Sequence, residues 1–552
     1  MSGLQIIVRV GFRQYCLVDV LEDSVAGVRE LARYSVLSRP LVVVRIIEGV
    51  GGRRRYLISE PEVSGFARRV LRKVYDAITR DVRLLEEISS IVDIDTGIDY
   101  ALSLIEKIGG VRIVRKGGEE PRGWKSVFDR LLKRQAISGD EALAIAYYIA
   151  RDFVGYGPID PMIRDKYVED ISCNGLREPI YVFHRDFEWL ESNIVFTSID
   201  ELERVVLKLA LRAGQEPSLA KPVVEGVIRP EGYRVHLVMD VVSRRGHSFT
   251  IRKFRGEPFT IVELINRRTL DPMVAAYLWL AIDYKQGVVI YGPTGSGKTT
   301  LMNALALLLP PELKIVTAED TPEISLPFHD NWMAMVTRLS SEPGVQNVTL
   351  QAQVESALRQ RPDVIILGEI RAREAYSFFQ AVTTGHGGLT TIHAEDTETL
   401  INRLSSPPMN VPRSSIASVK AFVFISRLYL EKTFVRKVIK IDECKGFDPI
   451  TDRIELSTII RWNRRRDEWY MTSRESSMFK SICATAALDY EELFEDFERR
   501  ATVLYWAAKR NFDIVMFHTI VRRYRRDPMG VYKQAVSEVG KYPIKIREES
   551  SS

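Results

Sequence analysis

From residue 288 to residue 300 the chain reads VVIYGPTGSGKTT, and few stretches constrain a fold as tightly. A β-branched run (Val288, Val289, Ile290) leads into Gly292-Pro293-Thr294-Gly295-Ser296-Gly297-Lys298-Thr299. A helix-like segment follows from Leu301 to Leu309 and is stopped by Pro310 and Pro311. Strand, G-x-x-x-x-G-K-[ST] loop and helix in that order predict a phosphate-binding loop. The glycines let the backbone curl so that N–H groups converge on phosphate oxygens, and the helix adds its positive N-terminal end. Lys298 supplies a point charge for the β- and γ-phosphates, and the Thr299 hydroxyl is a Mg²⁺ ligand. Gly292 to Thr300 are therefore the candidate nucleotide-binding residues.

A chain of 552 residues is too long for one core and predicts about three domains. Its 78 basic and 73 acidic residues leave a net charge of only +5, which argues against a nucleic-acid footprint. The four cysteines (Cys16, Cys173, Cys444, Cys483) form no C-x-x-C pair, so neither a zinc module nor a disulfide framework is predicted. The opening residues carry no signal-peptide pattern, and no apolar run is long enough to span a bilayer. The most apolar stretch, Met273 to Ile282, is interrupted by Asp283 and Lys285. A cytoplasmic protein that meets a membrane through a partner is expected.

Residues 1–110 are read as an N-terminal adaptor domain, with a strand at Leu41 to Ile47 and helical spacing from Val70 to Ile108. The run Arg53-Arg54-Arg55 reads as a solvated loop. Residues 111–135 form a linker and helix start, rich in Gly around Lys116-Gly117-Gly118. Residues 136–254 form a second lobe, with a helix near Ile137 to Phe153 and alternating strands around Tyr233 to Met239 and Ser248 to Phe254. Arg234 and Arg252 lie on those strands. Residues 255–260 read as a hinge, 261–430 as the catalytic core and 431–552 as a helical and mixed C-terminal extension.

The core carries three more strand-like runs that end in polar residues. Lys314 to Ala318 ends at Glu319, Val364 to Leu367 ends at Gly368-Glu369, and Leu389 to Ile392 ends at His393. With helices between them, this predicts a parallel sheet with its site along the strand C-termini. Carboxylates there suit nucleotide hydrolysis: Glu369 for the metal and Glu319 to polarise water. His386 and His393, flanking a Gly387-Gly388 turn, are candidates to sense the γ-phosphate.

Four boxes in this order resemble the ATPases of type II and type IV secretion and type IV pilus assembly, more narrowly the archaeal pilus and archaellum branch. They are GPTGSGKTT, TAEDTPEISLP, RPDVIILGEIRARE and TGHGGLTTIHAED. VEDISCNG, YRVHLVMD and FTIRKF also fit, so the match runs from about Gly155 to Arg427. The helix-like text from Tyr490 to Asn511 fits the archaeal branch less specifically. The resemblance implies an α/β RecA-like domain preceded by an α+β PAS-like lobe, with the adaptor domain as an extra. It implies ATP and Mg²⁺ as cofactors and a homo-hexameric ring. By motif, Lys298 and Glu319 are catalytic, Glu369 and Thr299 hold Mg²⁺, and His386 and His393 form the histidine box. Arg234 and Arg252 match arginines that reach the phosphates from the N-terminal lobe. The implied partners are a polytopic membrane platform protein and, indirectly, pilin-like subunits, with no stable nucleic acid. The implied location is the inner face of the cell membrane, held through a partner. The tetracysteine zinc module of bacterial members is missing, and Arg373 stands where many relatives have aspartate, so that position receives no role. Two rival readings are a DNA-transfer ring ATPase and a non-catalytic nucleotide-binding scaffold.

Overall fold

The computed structural model describes residues 6–10, 13–17, 28–49, 51–114, 136–253, 258–338, 346–430 and 433–547. Residues 115–135 of the expected linker, 255–257 of the expected hinge and the tail from Glu548 lie outside these. The chain divides into two compact units, Met1–Arg255 and Gly256–Ser552.

In the first unit a nine-stranded sheet runs in the order Val223–Ile228, Tyr233–Val238, Ser248–Arg252, Val168–Cys173, Pro179–His184, Glu188–Val195, Arg54–Ser59, Val43–Glu48, Arg29–Ser35. The segment expected as an adaptor thus supplies three strands to the same sheet as the expected lobe. The two are joined by a parallel pairing that sets Glu191 opposite Arg55. They also share one core, in which Val44, Ile46 and Tyr56 pack in the same cluster as Ile145, Ile149, Val182 and Ile251. Helix Gly139–Phe153 starts cleanly because Ser138 and Glu141 form a reciprocal capping box.

The second unit holds another nine-stranded sheet, ordered Trp332–Val336, Ile315–Glu319, Val364–Leu367, Gly387–Ile392, Gly287–Tyr291, Val419–Leu430, Thr433–Asp448, Arg453–Asn463, Glu468–Met471. The pairings from Trp332–Val336 through to Val419–Leu430 are parallel, and those beyond are antiparallel. The strand that ends before the phosphate loop, Gly287–Tyr291, is separated from the strand that ends before Glu369 by Gly387–Ile392. That insertion is the RecA-like arrangement, and the α/β expectation holds.

The sheet does not stop at residue 430. The segment expected as a C-terminal extension continues it with three antiparallel strands and closes the core behind it. Helix Pro272–Asp283 is buried on all sides, from Pro272 through Ile282, because this extension wraps it. Helix Tyr490–Lys509 lays Leu493, Phe497, Ala501, Leu504 and Ala508 into that core. At the rim Asp283 accepts ion pairs from Arg500 at 2.5 Å and Arg525 at 2.6 Å, and the Arg500 guanidinium lies 4.6 Å from the Trp279 ring centroid. Asp283 therefore ends the apolar run as a buried, doubly paired charge. Among the described residues no helix is long and apolar enough to cross a membrane.

Candidate active site

The phosphate loop leaves the sheet at Tyr291 and enters helix Lys298–Ala306 through Gly297, which caps it at φ +94°. A side chain is disfavoured at that angle. Gly292 is required for a different reason: a Cβ there would sit 2.0 Å from the Ile425 carbonyl oxygen. Thr299 and Thr300 lie in the first helical turn, half-buried. Ser296 is fully buried, and its hydroxyl oxygen has no hydrogen-bond partner among the described residues. That hydroxyl is available to a phosphate oxygen or a water.

Lys298 folds back across this loop. Its Nζ donates to the carbonyls of Gly292 (3.1 Å) and Pro293 (2.9 Å) and lies 3.2 Å from His393 Nδ1. Burial pulls its pKa down to about 8, against the pull of Glu369 and Glu323. On its other side His393 Nε2 stands 3.1 Å from Glu369 Oε1. Burial, then the Lys298 charge, lowers the histidine's pKa, so the ring is neutral at pH 7. Accepting from the ammonium at Nδ1 leaves its proton on Nε2, where it donates to Glu369. The second oxygen of Glu369 accepts from Arg371 Nη2 at 2.8 Å, and Glu369, ahead of Asp320, raises the arginine's pKa. Lys298, His393, Glu369 and Arg371 thus form one continuous relay.

Glu319 ends the neighbouring strand and is buried, with a Cβ built on Gly368 only 3.2 Å from its Cγ. Its Oε1 accepts the backbone N–H groups of Glu323 (2.8 Å) and Ile324 (3.0 Å). Burial nevertheless wins, and the pKa rises to about 8. A carboxyl poised near neutral pH is a competent proton acceptor.

The structure separates the two histidines expected as a pair. His393 follows the C-terminal end of Gly387–Ile392, beside the loop, whereas His386 precedes its N-terminal end. A six-residue strand holds them roughly 20 Å apart. At that far edge His386 Nδ1 lies 3.2 Å from both the Ala381 carbonyl and Thr384 Oγ1. His393→Ala is therefore expected to lower ATP turnover about 10- to 100-fold, the range for losing a group that orients a functional carboxylate. His386→Ala should stay within about threefold, in steady-state hydrolysis of both variants on the same day and protein batch.

Arg234 and Arg252 belong to the first unit, where they face one another across adjacent strands on the exposed side of the sheet. Like charges so placed repel. Glu225 offsets this by pairing with Arg234 at 3.2 Å, and Asp170 stands opposite Arg252.

Two contributors carry no signature in the sequence, and a third, Arg371, sits in the RPDVIILGEIRARE box with no role assigned to it. Arg371 was legible only as a neighbour of Glu369. Gln353 Oε1 accepts the Glu319 backbone N–H at 3.2 Å from a helix more than thirty residues on. Arg436, from strand Thr433–Asp448, donates from Nε to the Gly295 carbonyl at 3.1 Å, in the middle of the phosphate loop.

Comparison with known proteins supplies a family. The family model for type II/IV secretion system proteins matches residues 229–486. An uncharacterized protein of Methanocaldococcus jannaschii is 34% identical over 411 residues, covering 73% of this chain and 74% of its own length. The type IV secretion system protein PtlH of Bordetella pertussis is 30% identical over 268 residues, 44% of this chain and 78% of that protein. This chain belongs to the type II/IV secretion system protein family. The phosphate-loop residues 292–300 lie inside the segment that the family model matches. Among solved structures, the Legionella pneumophila ATPase DotB covers 77% of this chain and 99% of its own at 16% identity and a TM-score of 0.37, which adds nothing to the strand order above.

Proposed function

We propose that this chain is a Mg²⁺-dependent ATP-hydrolysing motor that works as a homo-hexameric ring and powers assembly of type IV pilus-like filaments. In this reading it is cytoplasmic and is held at the inner face of the cell membrane by a polytopic platform protein, through which it acts on pilin-like subunits. The relay from Lys298 through His393 to Glu369, beside the buried Glu319, carries the proposal. It gathers a phosphate cation, a metal-type carboxylate and a poised base at one sheet edge.

The residues fit the cofactors. Ser296 offers an unsatisfied hydroxyl inside the loop. Thr299 and Glu369 offer two hard oxygen ligands, suited to Mg²⁺, which takes its remaining ligands from phosphates and water. When bound, Mg-ATP supplies the phosphoanhydride bond to be cleaved. Lys298 neutralises charge on the β- and γ-phosphates, Glu319 orients a water and accepts its proton, and His393 holds Glu369 in place. Arg234 and Arg252 are the proposed additional positive charges for the phosphates.

The test is ATP turnover per subunit across a wide protein concentration range, with Mg²⁺ and with EDTA. Turnover should climb as subunits assemble and vanish in EDTA. Arg234→Ala and Arg252→Ala should each reduce turnover by at least about tenfold while ATP affinity stays within about threefold. Tight ATP binding with no hydrolysis at any concentration would overturn the motor and favour a nucleotide-binding scaffold.

A further inference from the structure

Strands Val419–Leu430 and Thr433–Asp448 form a hairpin that runs on past the phosphate loop. Tyr291, the last residue of the loop's own strand, pairs with Phe424, and the hairpin continues six residues beyond. Its register sets Ile425 opposite Val438, Arg427 opposite Arg436, and Tyr429 opposite Phe434. Alternation puts these three rungs on one face. That face is turned to the loop, because a Cβ on Gly297 would meet Arg436 Cδ at 3.2 Å and Ile425 Cδ1 at 3.8 Å. Ile425 and Val438 of the inner rung are buried in the core, Leu428 and Leu430 pack against that core from the opposite face, and Lys437 reaches Asp467 there at 2.8 Å, which leaves Arg436, Tyr429 and Phe434 exposed on the loop side.

Outward from the loop, then, comes an apolar rung, a cationic rung and an aromatic rung. The cationic rung touches the loop through the bond from Arg436 to the Gly295 carbonyl. In the aromatic rung the Tyr429 and Phe434 centroids lie 5.0 Å apart, and Arg427 sits 3.9 Å over the Phe434 ring. The two rings are nonetheless 62% and 47% exposed, an apolar pair left open beside a ligand site. Rungs two residues apart are separated by about 7 Å along the strands, the reach from a phosphate across a ribose to its base.

We propose that this hairpin is the base subsite of the nucleotide site: Tyr429 and Phe434 stack against the adenine, and the Arg427–Arg436 rung borders the α-phosphate and ribose. The proposal rests on the loop's reading as an ATP site and deepens it. It gives the C-terminal strands a direct part in holding nucleotide.

Calorimetric titration of the full-length protein with ATP and with inorganic tripolyphosphate, both with Mg²⁺, tests it. Tyr429→Ala/Phe434→Ala should weaken ATP by about tenfold or more, the range of base–aromatic stacking, and leave tripolyphosphate within about twofold. Tyr429→Phe/Phe434→Trp, which keeps two aromatic faces, should bind ATP as the wild type does. Unchanged ATP affinity in the alanine double variant, or equal weakening of ATP and tripolyphosphate, overturns the subsite. Lys298→Ala separates the two claims: it should weaken both ligands, and if it weakens neither, the loop's reading fails first.

Discussion

Lys298→Ala is expected to lower ATP turnover by about a thousandfold, the scale of losing a preorganised charge aimed at the reacting group. The ammonium is buried and held by two loop carbonyls and His393 Nδ1. Neutral oxygens balance a buried cation poorly, which is why its pKa falls to about 8. Phosphates in the loop bring the counter-charge that the two carbonyls lack. The substitution also removes the donor that fixes the His393 tautomer, so Glu369 loses its orientation at the same time. Lys298→Arg should not rescue, because a planar guanidinium does not fit a position only 7% exposed. The pH dependence has a definite sign. The ligand-free lysine gives up its proton above about 8, so wild-type ATP affinity should fall as pH rises past that value. The alanine variant should show a shallower fall, because only the Glu319 carboxyl still titrates near that pH. Titration of ATP at pH 7, 8 and 9 with steady-state turnover decides it, and turnover within about tenfold of the wild type would sink the assignment.

The local chemistry of this site was legible in the sequence because each box is contiguous. A strand, a turn and a carboxylate within ten residues announce themselves wherever the chain later takes them. What pairs with what is a different kind of information. Strand Gly387–Ile392 lies between Gly287–Tyr291 and Val364–Leu367 although it follows both in the chain, and no spacing says so. Strands Arg29–Ser35, Val43–Glu48 and Arg54–Ser59 join the rest of their sheet through a parallel pairing, Glu191 opposite Arg55, across more than 130 residues. Arg436 reaches Gly295 from 141 residues away by virtue of a hairpin register. His386 and His393 show the converse. They are neighbours in sequence, but the intervening strand is a rigid spacer that carries them to opposite edges of the sheet.

Glu319→Gln is expected to leave ATP binding nearly intact and to reduce turnover about 10²- to 10⁴-fold, the contribution of a positioned general base. Glutamine keeps the geometry, since its carbonyl oxygen still accepts the N–H groups of Glu323 and Ile324, but it takes no proton from water. The same change should stabilise the nucleotide-free protein. Burial lifts the carboxyl from its ordinary 4.5 to about 8, so the folded state holds a proton that the unfolded chain has released. Wild-type stability from this group is therefore full below about 4.5, declines as pH rises and is level above about 8. Glutamine does not titrate. Its stability advantage, followed as melting temperature, should accordingly be small near pH 5, grow through pH 7 and level off above pH 8, where it corresponds to on the order of a few kcal/mol. Lys298 titrates near the same pH with the opposite sign, but it is present in both proteins and drops out of the difference. Active sites hold groups that the fold alone would not choose, and the two readouts must move in opposite directions if Glu319 is one of them. A variant that lost turnover and stability together would show Glu319 to be a structural carboxyl tied into the backbone of residues 323 and 324, and the catalytic base would have to be sought elsewhere.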